Sequence, residues 1–132
     1  EIMIFYKEWE YMFKGIIEEN VKLFQQLKAT KKYKIYALTN WSSEKWDKAL
    51  ELFPFFKSFD GVVVSGREKC RKPFPKIYNI LLNRFNITPE KAVFIDDNLD
   101  NIIAAKKLGI HGIHLPSGKN LKEKLALAIV LK

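Results

Sequence analysis

Cysteine is almost absent from this chain of 132 residues, because Cys70 is the only one. A single cysteine cannot form an internal disulfide, so we expect a packed core in a reducing, cytoplasmic environment. Long apolar runs are also lacking, and the longest covers residues 125–131. A membrane-spanning helix needs roughly 20 apolar residues, and no secretory leader pattern opens the sequence. We therefore expect neither a disulfide scaffold nor a membrane partner.

Arginine is scarce although the chain is strongly basic. The net charge is +8 at pH 7, but only three of the 23 basic residues are arginine. Readers of nucleic acids rely on the planar guanidinium, and the lysines here are spread along the whole chain. The hydrophobic share of 48% is typical of a single globular domain. We interpret the charge as a solvated lysine-rich surface and predict no specific nucleic-acid partner.

Four short apolar segments with β-branched residues predict strands that are covered on both faces. These segments are residues 35–38, 62–64, 92–95 and 112–115. Helical patterns lie around them at residues 21–28, 44–52, 73–82, 99–108 and 121–131. Gly109 follows the fourth helix where a C-cap glycine belongs. The alternation of strand and helix predicts an α/β fold with a mostly parallel sheet.

The first 16 residues follow a different pattern. Phe5, Trp9, Met12 and Ile16 share one helical face, and further aromatic residues lie between them. An isolated terminal helix would expose too much aromatic surface. One interpretation is a core helix, and the other is the end of a helical cap whose remaining helices are absent.

Polar residues follow the predicted strands at their carboxyl ends, where open parallel sheets bind ligands. Thr39 follows the first strand, and the loop after the second delivers Lys72. Taken singly, a strand-end threonine and a lysine are ordinary turn and surface residues. Asp96 and Asp97 follow the third strand, and such neighbours repel each other unless a cation neutralises them. Because hard oxygen ligands suit Mg²⁺, this pair is compatible with a metal site as well as with a structural role.

In this order, the strand-end segments resemble motifs II, III and IV of the haloacid dehalogenase-like superfamily. The resemblance extends from about residue 15 to residue 115 and is closest to small phosphatase-like members with a helical cap. It implies an α/β Rossmann-like parallel sheet with flanking helices and a remnant of the cap at the N-terminus. The segments are Leu38-Thr39-Asn40-Trp41-Ser42, Phe59-Asp60-Gly61 with the apolar run after it, Arg71-Lys72-Pro73, and Phe94-Ile95-Asp96-Asp97-Asn98.

The resemblance also implies a role for each strand-end residue. Thr39 and the backbone of Asn40 would bind the oxygens of a phosphoryl group, and Lys72 would neutralise the phosphate and the attacking carboxylate. Asp97 would ligate Mg²⁺, while Asp96 would orient the metal or its waters. These roles imply a Mg²⁺-dependent phosphohydrolase of a small phosphorylated metabolite, since phosphoryl transfer depends mainly on positioning and charge stabilisation.

The family's nucleophilic Asp, in an Asp-x-Asp motif that follows the first strand, has no counterpart here. Asp60 is the nearest lookalike, but Val62 stands where the second Asp should be and the apolar run follows Asp60 instead of preceding it. We therefore expect residues 1–16 to be the end of a cap and residues 17–132 to be a core without its first strand. The vacant centre of the sheet would be filled by a separate N-terminal segment or a second copy, or closed by its neighbouring strands.

Other functions compete with this interpretation. A non-catalytic scaffold or binding module of the same fold lacks the nucleophile as this chain does, and a haloacid dehalogenase would carry hydroxyls in place of Asp96 and Asp97. A receiver domain of two-component signalling uses the same residue types in another order. We expect His111 and His114 to lie on opposite strand faces rather than to bind zinc, and Cys70 to have no catalytic role.

Overall fold

The computed structural model describes residues 2–5, 22, 25–52 and 54–115. Five parallel strands form one sheet in the order β3-β2-β1-β4-β5. Since the chain moves outward from the centre in both directions, the sheet is doubly wound. The strands are β1, Ile2–Phe5; β2, Tyr33–Thr39; β3, Gly61–Val64; β4, Ala92–Asp96; and β5, His111–His114.

Helices connect the strands and confirm the predicted α/β alternation. Asn98 caps α4 by accepting a hydrogen bond from the backbone N–H of Asp100, and Gly109 follows that helix with a φ of 87°. The helices are α1, Ser43–Leu52; α2, Ser65–Glu68; α3, Pro75–Arg84; and α4, Leu99–Lys107, with 3-10 turns at Pro54–Ser58 and Pro89–Lys91. Residues 25–29 are also helical. The helix predicted at residues 121–131 lies outside the described residues.

The central strand corrects the sequence analysis. β1 pairs with β2 on one side and with β4 on the other, so the chain's own Ile2–Phe5 occupies the position that was expected to be vacant. The helical assignment of these four residues is therefore wrong. The run Ile-Met-Ile-Phe is too short for periodicity to separate helix from strand, and its pairing on both edges satisfies the backbone groups of β2 and β4. Residues 6–16, which carry the rest of the helical pattern, lie outside the described residues.

The core has a layer on each side of the sheet. Tyr36 and Leu38 of β2 belong to the larger layer with α3 and α4, whereas Ala37 packs into a smaller layer with Trp46 and Phe56. This alternation along β2 explains its continuous apolar sequence. Within the described part of the chain, no helix has the length and apolar character needed to cross a bilayer.

Candidate active site at the carboxyl edge of the sheet

A buried ion pair joins the ends of β2 and β4. The Lys72 ammonium donates to Oδ2 of Asp96 and to the carbonyl oxygen of Leu38, both at 2.9 Å. Neither Lys72 nor Asp96 exposes any of its side chain to solvent. A buried charge requires a partner of opposite sign and hydrogen bonds, and here the ends of β2 and β4, the two strands that flank β1, supply both.

Three donors surround the Asp96 carboxylate. Oδ1 accepts the backbone N–H of Asn98 at 2.9 Å, and Oδ2 accepts the Asn101 amide at 3.1 Å in addition to Lys72. Burial raises the pKa of Asp96, but the Lys72 charge and hydrogen bonds involving Asp97, Asn98 and Lys72 outweigh it, so the pKa lies below the ordinary value. Asp96 is therefore held as a carboxylate, with its oxygens directed towards protein donors.

Asn40 fixes the loop that carries Lys72. Its Oδ1 accepts the backbone N–H of Lys72 at 2.9 Å, and its Nδ2 donates to the Lys72 carbonyl at 3.2 Å. The Lys72–Pro73 peptide bond is cis. Thr39 is completely buried at the end of β2, and its hydroxyl oxygen accepts the N–H of Trp41 at 3.3 Å. The structure therefore brings Thr39, Asn40, Lys72 and Asp96 to one edge of the sheet.

Asp97 lies next to this pair and is half-buried. His114 donates through Nε2 to the backbone carbonyl of Asp97 at 2.9 Å and so fixes the turn after β4 from the neighbouring strand. His111 contacts the carbonyl of Glu90 instead, at 3.0 Å. The two histidines therefore contact different backbone carbonyl groups.

The carboxylates of this edge fit the needs of a magnesium ion. Across residues 2–5, 22, 25–52 and 54–115, no group of three or more His, Cys, Asp or Glu side chains is arranged to hold a metal. Mg²⁺ does not need such a cage, because it keeps several waters and uses one or two carboxylates together with substrate phosphate. Asp96 is held by Lys72 and Asn101, and Asp97 is the second carboxylate at this edge of the sheet.

Asp60 lies at the opposite edge of the sheet. It precedes β3, and its Oδ2 accepts the backbone N–H of Ile35, near the start of β2, at 2.7 Å. Its other oxygen pairs with Lys28 at 2.8 Å. This placement confirms that Asp60 is at the amino ends of the strands and is not a substitute for the missing nucleophile.

Comparison with protein families decides the identity of the fold. The description "haloacid dehalogenase-like hydrolase" belongs to the family model that matches residues 4–109. The chain is a member of this family. The resemblance inferred from the motifs is confirmed, and membership argues against the receiver-domain alternative.

Two curated phosphatases are related in sequence to this haloacid dehalogenase-like chain. The "Phosphorylated carbohydrates phosphatase" of Thermotoga maritima is 31% identical over 132 residues, which cover 95% of this chain and 61% of that protein. The "Sesquiterpene phosphatase astK" of Aspergillus oryzae is 32% identical over 81 residues, which cover 61% of this chain and 41% of that protein. The chain thus spans less than two thirds of the length of either relative.

A solved structure of the family shows the same architecture. The wild-type HAD family enzyme bt-2542 from Bacteroides thetaiotaomicron, in complex with magnesium and inorganic phosphate, superposes with a TM-score of 0.70 at 28% identity. The match covers 80% of this chain and 56% of that chain. Members of the family therefore include a protein that binds both magnesium and phosphate.

Three residues of the site escaped the sequence analysis. Asn101 is buried and donates to Asp96, while its own carbonyl accepts the Tyr78 hydroxyl at 2.8 Å. His114 contacts the carbonyl of Asp97, a contact that its sequence position on a strand does not predict. The sequence does contain one indication of the role of Asn101, which shares the buried side of α4 with Ile102 and Ala105. An amide on the buried side of a helix needs a polar partner. Nothing in the sequence indicated that Tyr78 would reach the same helix.

Proposed function

We propose that this haloacid dehalogenase-like chain is the core of a Mg²⁺-dependent phosphohydrolase that acts on a small phosphorylated metabolite. The observation that carries the proposal is the buried Lys72–Asp96 pair beside Thr39, at the carboxyl ends of β2 and β4. Phosphoryl transfer requires fixed cations and hydrogen-bond donors more than covalent chemistry from the protein. The phosphatase relatives support the same reaction class.

Each residue has a physical role in this proposal. Lys72 provides a positive charge whose position is set by Leu38, Asp96 and the cis-peptide loop that Asn40 holds. Thr39 uses its oxygen as an acceptor for Trp41, which leaves the hydroxyl proton to donate to a phosphoryl oxygen. The backbone of Asn40 would bind another phosphoryl oxygen.

Asp97 would hold Mg²⁺, and Asp96 would orient the metal or its waters while balancing Lys72. When bound, the ion would neutralise charge on the phosphoryl oxygens. The bound magnesium and phosphate of the bt-2542 complex support this cofactor. His114 would keep Asp97 in place through the carbonyl contact.

We also propose that the carboxylate that attacks the phosphoryl group comes from a segment that is not part of this sequence. Of the five Asp residues, Asp60 lies at the wrong edge and Asp96 is engaged by Lys72. Tyr6, Lys7 and Glu8 follow β1, where the family has Asp-x-Asp. An aspartyl-phosphate would therefore need an Asp from a segment encoded upstream. In the longer protein the strand of that segment would take the central position from Ile2–Phe5, and residues 1–16 would be the end of a cap. A cytoplasmic location is part of the same proposal, based on the single cysteine.

The test is hydrolysis of p-nitrophenyl phosphate by a protein that joins this chain to its upstream coding segment. We expect turnover with Mg²⁺ and none after chelation. Asp97→Asn should reduce turnover by about 100-fold or more, because a direct ligand is lost, and Asp96→Asn by about 10- to 100-fold. Asp100→Asn is the matched control, since Asp100 is exposed on α4 and should leave turnover unchanged.

The 132-residue chain assayed alone should give no turnover. Turnover by this chain, lost on Asp97→Asn, would refute an external nucleophile. Undiminished turnover of the longer protein after chelation would refute the metal. Absence of both turnover and phosphate binding in the longer protein would favour a non-catalytic scaffold, and dehalogenation without phosphatase activity would favour a dehalogenase.

A further inference from the structure

A surface cavity of about 370 Å³ includes Arg71, the residue that precedes Lys72 in the chain. Ser65, Lys69, Cys70, Arg71 and Phe74 line it, and its volume is in the range of small-molecule sites. Two of these residues are cationic, and none of the described lining residues is acidic. The cavity therefore combines positive charge with an exposed aromatic ring, since Phe74 keeps 53% of its surface accessible.

Arg71 differs from the other two arginines. Arg67 pairs with Asp47 and Arg84 pairs with Glu68, in both cases at 2.6 Å. In the part of the chain that the structure describes, Arg71 has no carboxylate partner, and its guanidinium carbon lies 5.1 Å from the centre of the Phe74 ring. The ring contact orients the guanidinium without consuming its charge, so the fork remains able to bind an anion.

Glu68 is the acidic residue nearest to Arg71 in the sequence, and it does not line the cavity. Glu68 is held by two hydrogen bonds from Arg84, at 2.6 and 3.1 Å. The Arg84 hydrogen bond, opposed by burial and aided by the charges of Arg84 and Arg67, keeps the pKa of Glu68 below its usual value. Because Glu68 is already neutralised by Arg84, the charges of Lys69 and Arg71 are not balanced from this side.

Hydrogen bonds connect the segments around the cavity with the loop after β2 that carries Asn40. Gly66 donates its N–H to the carbonyl of Trp41 at 3.0 Å, and Asn40 holds the backbone of Lys72. Arg71 immediately precedes Lys72, so their Cα atoms are about 3.8 Å apart. Lys72 directs its ammonium into the sheet edge, while Arg71 lines the cavity. Two cationic side chains therefore start from neighbouring positions of the same loop.

We propose that this cavity binds a second anionic group, a carboxylate or phosphate, carried by the phosphorylated substrate itself. This inference rests on the proposed function, because it assumes that the first phosphoryl group lies at Thr39 and Lys72. Arg71 supplies the specific contact, Phe74 orients it, and Lys69 adds charge. The substrate class is therefore a small metabolite with a phosphate and a second acid group.

The experiment compares two non-hydrolysable probes by calorimetric titration of the 132-residue chain with MgCl₂ present. Propylphosphonate carries one acid group, and 3-phosphonopropionate replaces its terminal methyl with a carboxylate. We expect 3-phosphonopropionate to bind about tenfold more tightly, as one partly exposed charge-assisted contact allows. Arg71→Gln should abolish this preference and leave propylphosphonate affinity unchanged. Lys107→Gln removes an exposed charge from α4, which packs against β5 on the side of the sheet opposite β3. This variant should preserve the preference for 3-phosphonopropionate.

The outcomes separate this inference from the proposed function. Equal affinity for the two probes would overturn the second-anion site while leaving the phosphate site intact. A preference that survives Arg71→Gln would also overturn it. Binding of succinate that depends on Arg71 and does not compete with propylphosphonate, without any gain for the bifunctional probe, would assign the cavity to a separate anion and refute the inference. Failure of both probes to bind would refute the phosphate site and the inference together.

Discussion

At the scale of single residues, we expect the stability of the fold to depend strongly on the ion pair between Lys72 and Asp96. The Lys72 charge is buried between β2 and β4 and is balanced by Asp96. Lys72→Met should lower the free energy of unfolding by about 3–5 kcal/mol, because it leaves the carboxylate buried without its counter-charge. Urea unfolding at pH 7 measures this loss.

An exposed ion pair provides the control for this prediction. Arg67→Met breaks a surface pair with Asp47 and should cost less than about 1 kcal/mol. Adding Asp96→Asn to Lys72→Met should recover part of the lost stability, since the buried group is then neutral. Equal losses for Lys72→Met and Arg67→Met would show that the buried pair does not form.

The buried hydroxyl of Tyr78 predicts that the free energy of unfolding depends on pH under alkaline conditions. Burial, and then the charge of Asp96, raises the pKa of Tyr78 above its ordinary value, while the unfolded chain releases this proton near pH 10. Stability from the protonated hydroxyl is therefore complete below about pH 10 and is lost as the pH rises further. The wild type should lose stability faster than Tyr78→Phe between about pH 9 and pH 11 in urea unfolding.

Comparison of the variants at pH 7 checks the same residue independently. Tyr78→Phe should cost about 1 kcal/mol there, because the hydrogen bond to the Asn101 carbonyl is removed. Parallel pH profiles of the two proteins would mean that Tyr78 ionises as easily in the folded chain as in the unfolded one.

The sequence predicted the order and the edge of the principal residues but not their contacts. Thr39, Lys72 and Asp96 follow strands, and the rule that parallel strands present ligand groups at their carboxyl ends was sufficient to bring them together. The burial of Lys72 could not be predicted, because it is one of 20 lysines and only the packed loop removes it from water. The link from Tyr78 through Asn101 to Asp96 joins two helices and a strand that are distant in sequence.

At the scale of elements, Asp60 secures the entry of β2 and β3 into the sheet. One of its oxygens accepts the Ile35 N–H, and its own N–H donates to the Ile35 carbonyl at 2.8 Å. Asp60→Ala should cost about 1–3 kcal/mol, because the buried residue Ile35 loses its acceptor. Asp60→Asn should cost less, since the amide oxygen still accepts and only the Lys28 pair is lost.

Propylphosphonate titration of the same variants tests the position of Asp60. Both variants should retain the affinity of the wild type, because Asp60 lies at the amino ends of the strands. Loss of phosphonate binding by a stable Asp60→Asn protein would return this residue to the active site.

The predictable elements are those whose apolar runs are bounded by turn residues. The strands after residue 30 and helices α1, α3 and α4 agree with their sequence patterns within a few residues, because both sheet faces are covered and Asn98 and Gly109 mark the ends of α4. The failure at Ile2–Phe5 has a physical cause. Isoleucine, methionine and phenylalanine are accepted by a helix stripe and by a central strand, and the choice depends on the pairing partners that β2 and β4 provide.

At the scale of the whole molecule, the central strand decides whether one chain completes the sheet. Met3 is in register with Lys34 of β2 and with Ala92 of β4. In a Cys70→Ser background, the pair Met3→Cys and Lys34→Cys should form a disulfide on mild oxidation, since paired strands bring Cα atoms within bonding range. The product should migrate as a monomer on a non-reducing gel.

A second cysteine pair distinguishes the other arrangements of the sheet. Lys34→Cys with Ala92→Cys should not form an intramolecular disulfide, because β1 separates β2 from β4 by two strand spacings, roughly 10 Å. Cross-linking of this pair would mean that β2 and β4 close on each other and that Ile2–Phe5 lies elsewhere. A dimeric product from the Met3 and Lys34 pair would mean that a second copy supplies the strand. Since the strand ends carry Thr39 and Asp96, direct contact between β2 and β4 would also bring these residues closer together and remove the space in which the proposed phosphate site lies.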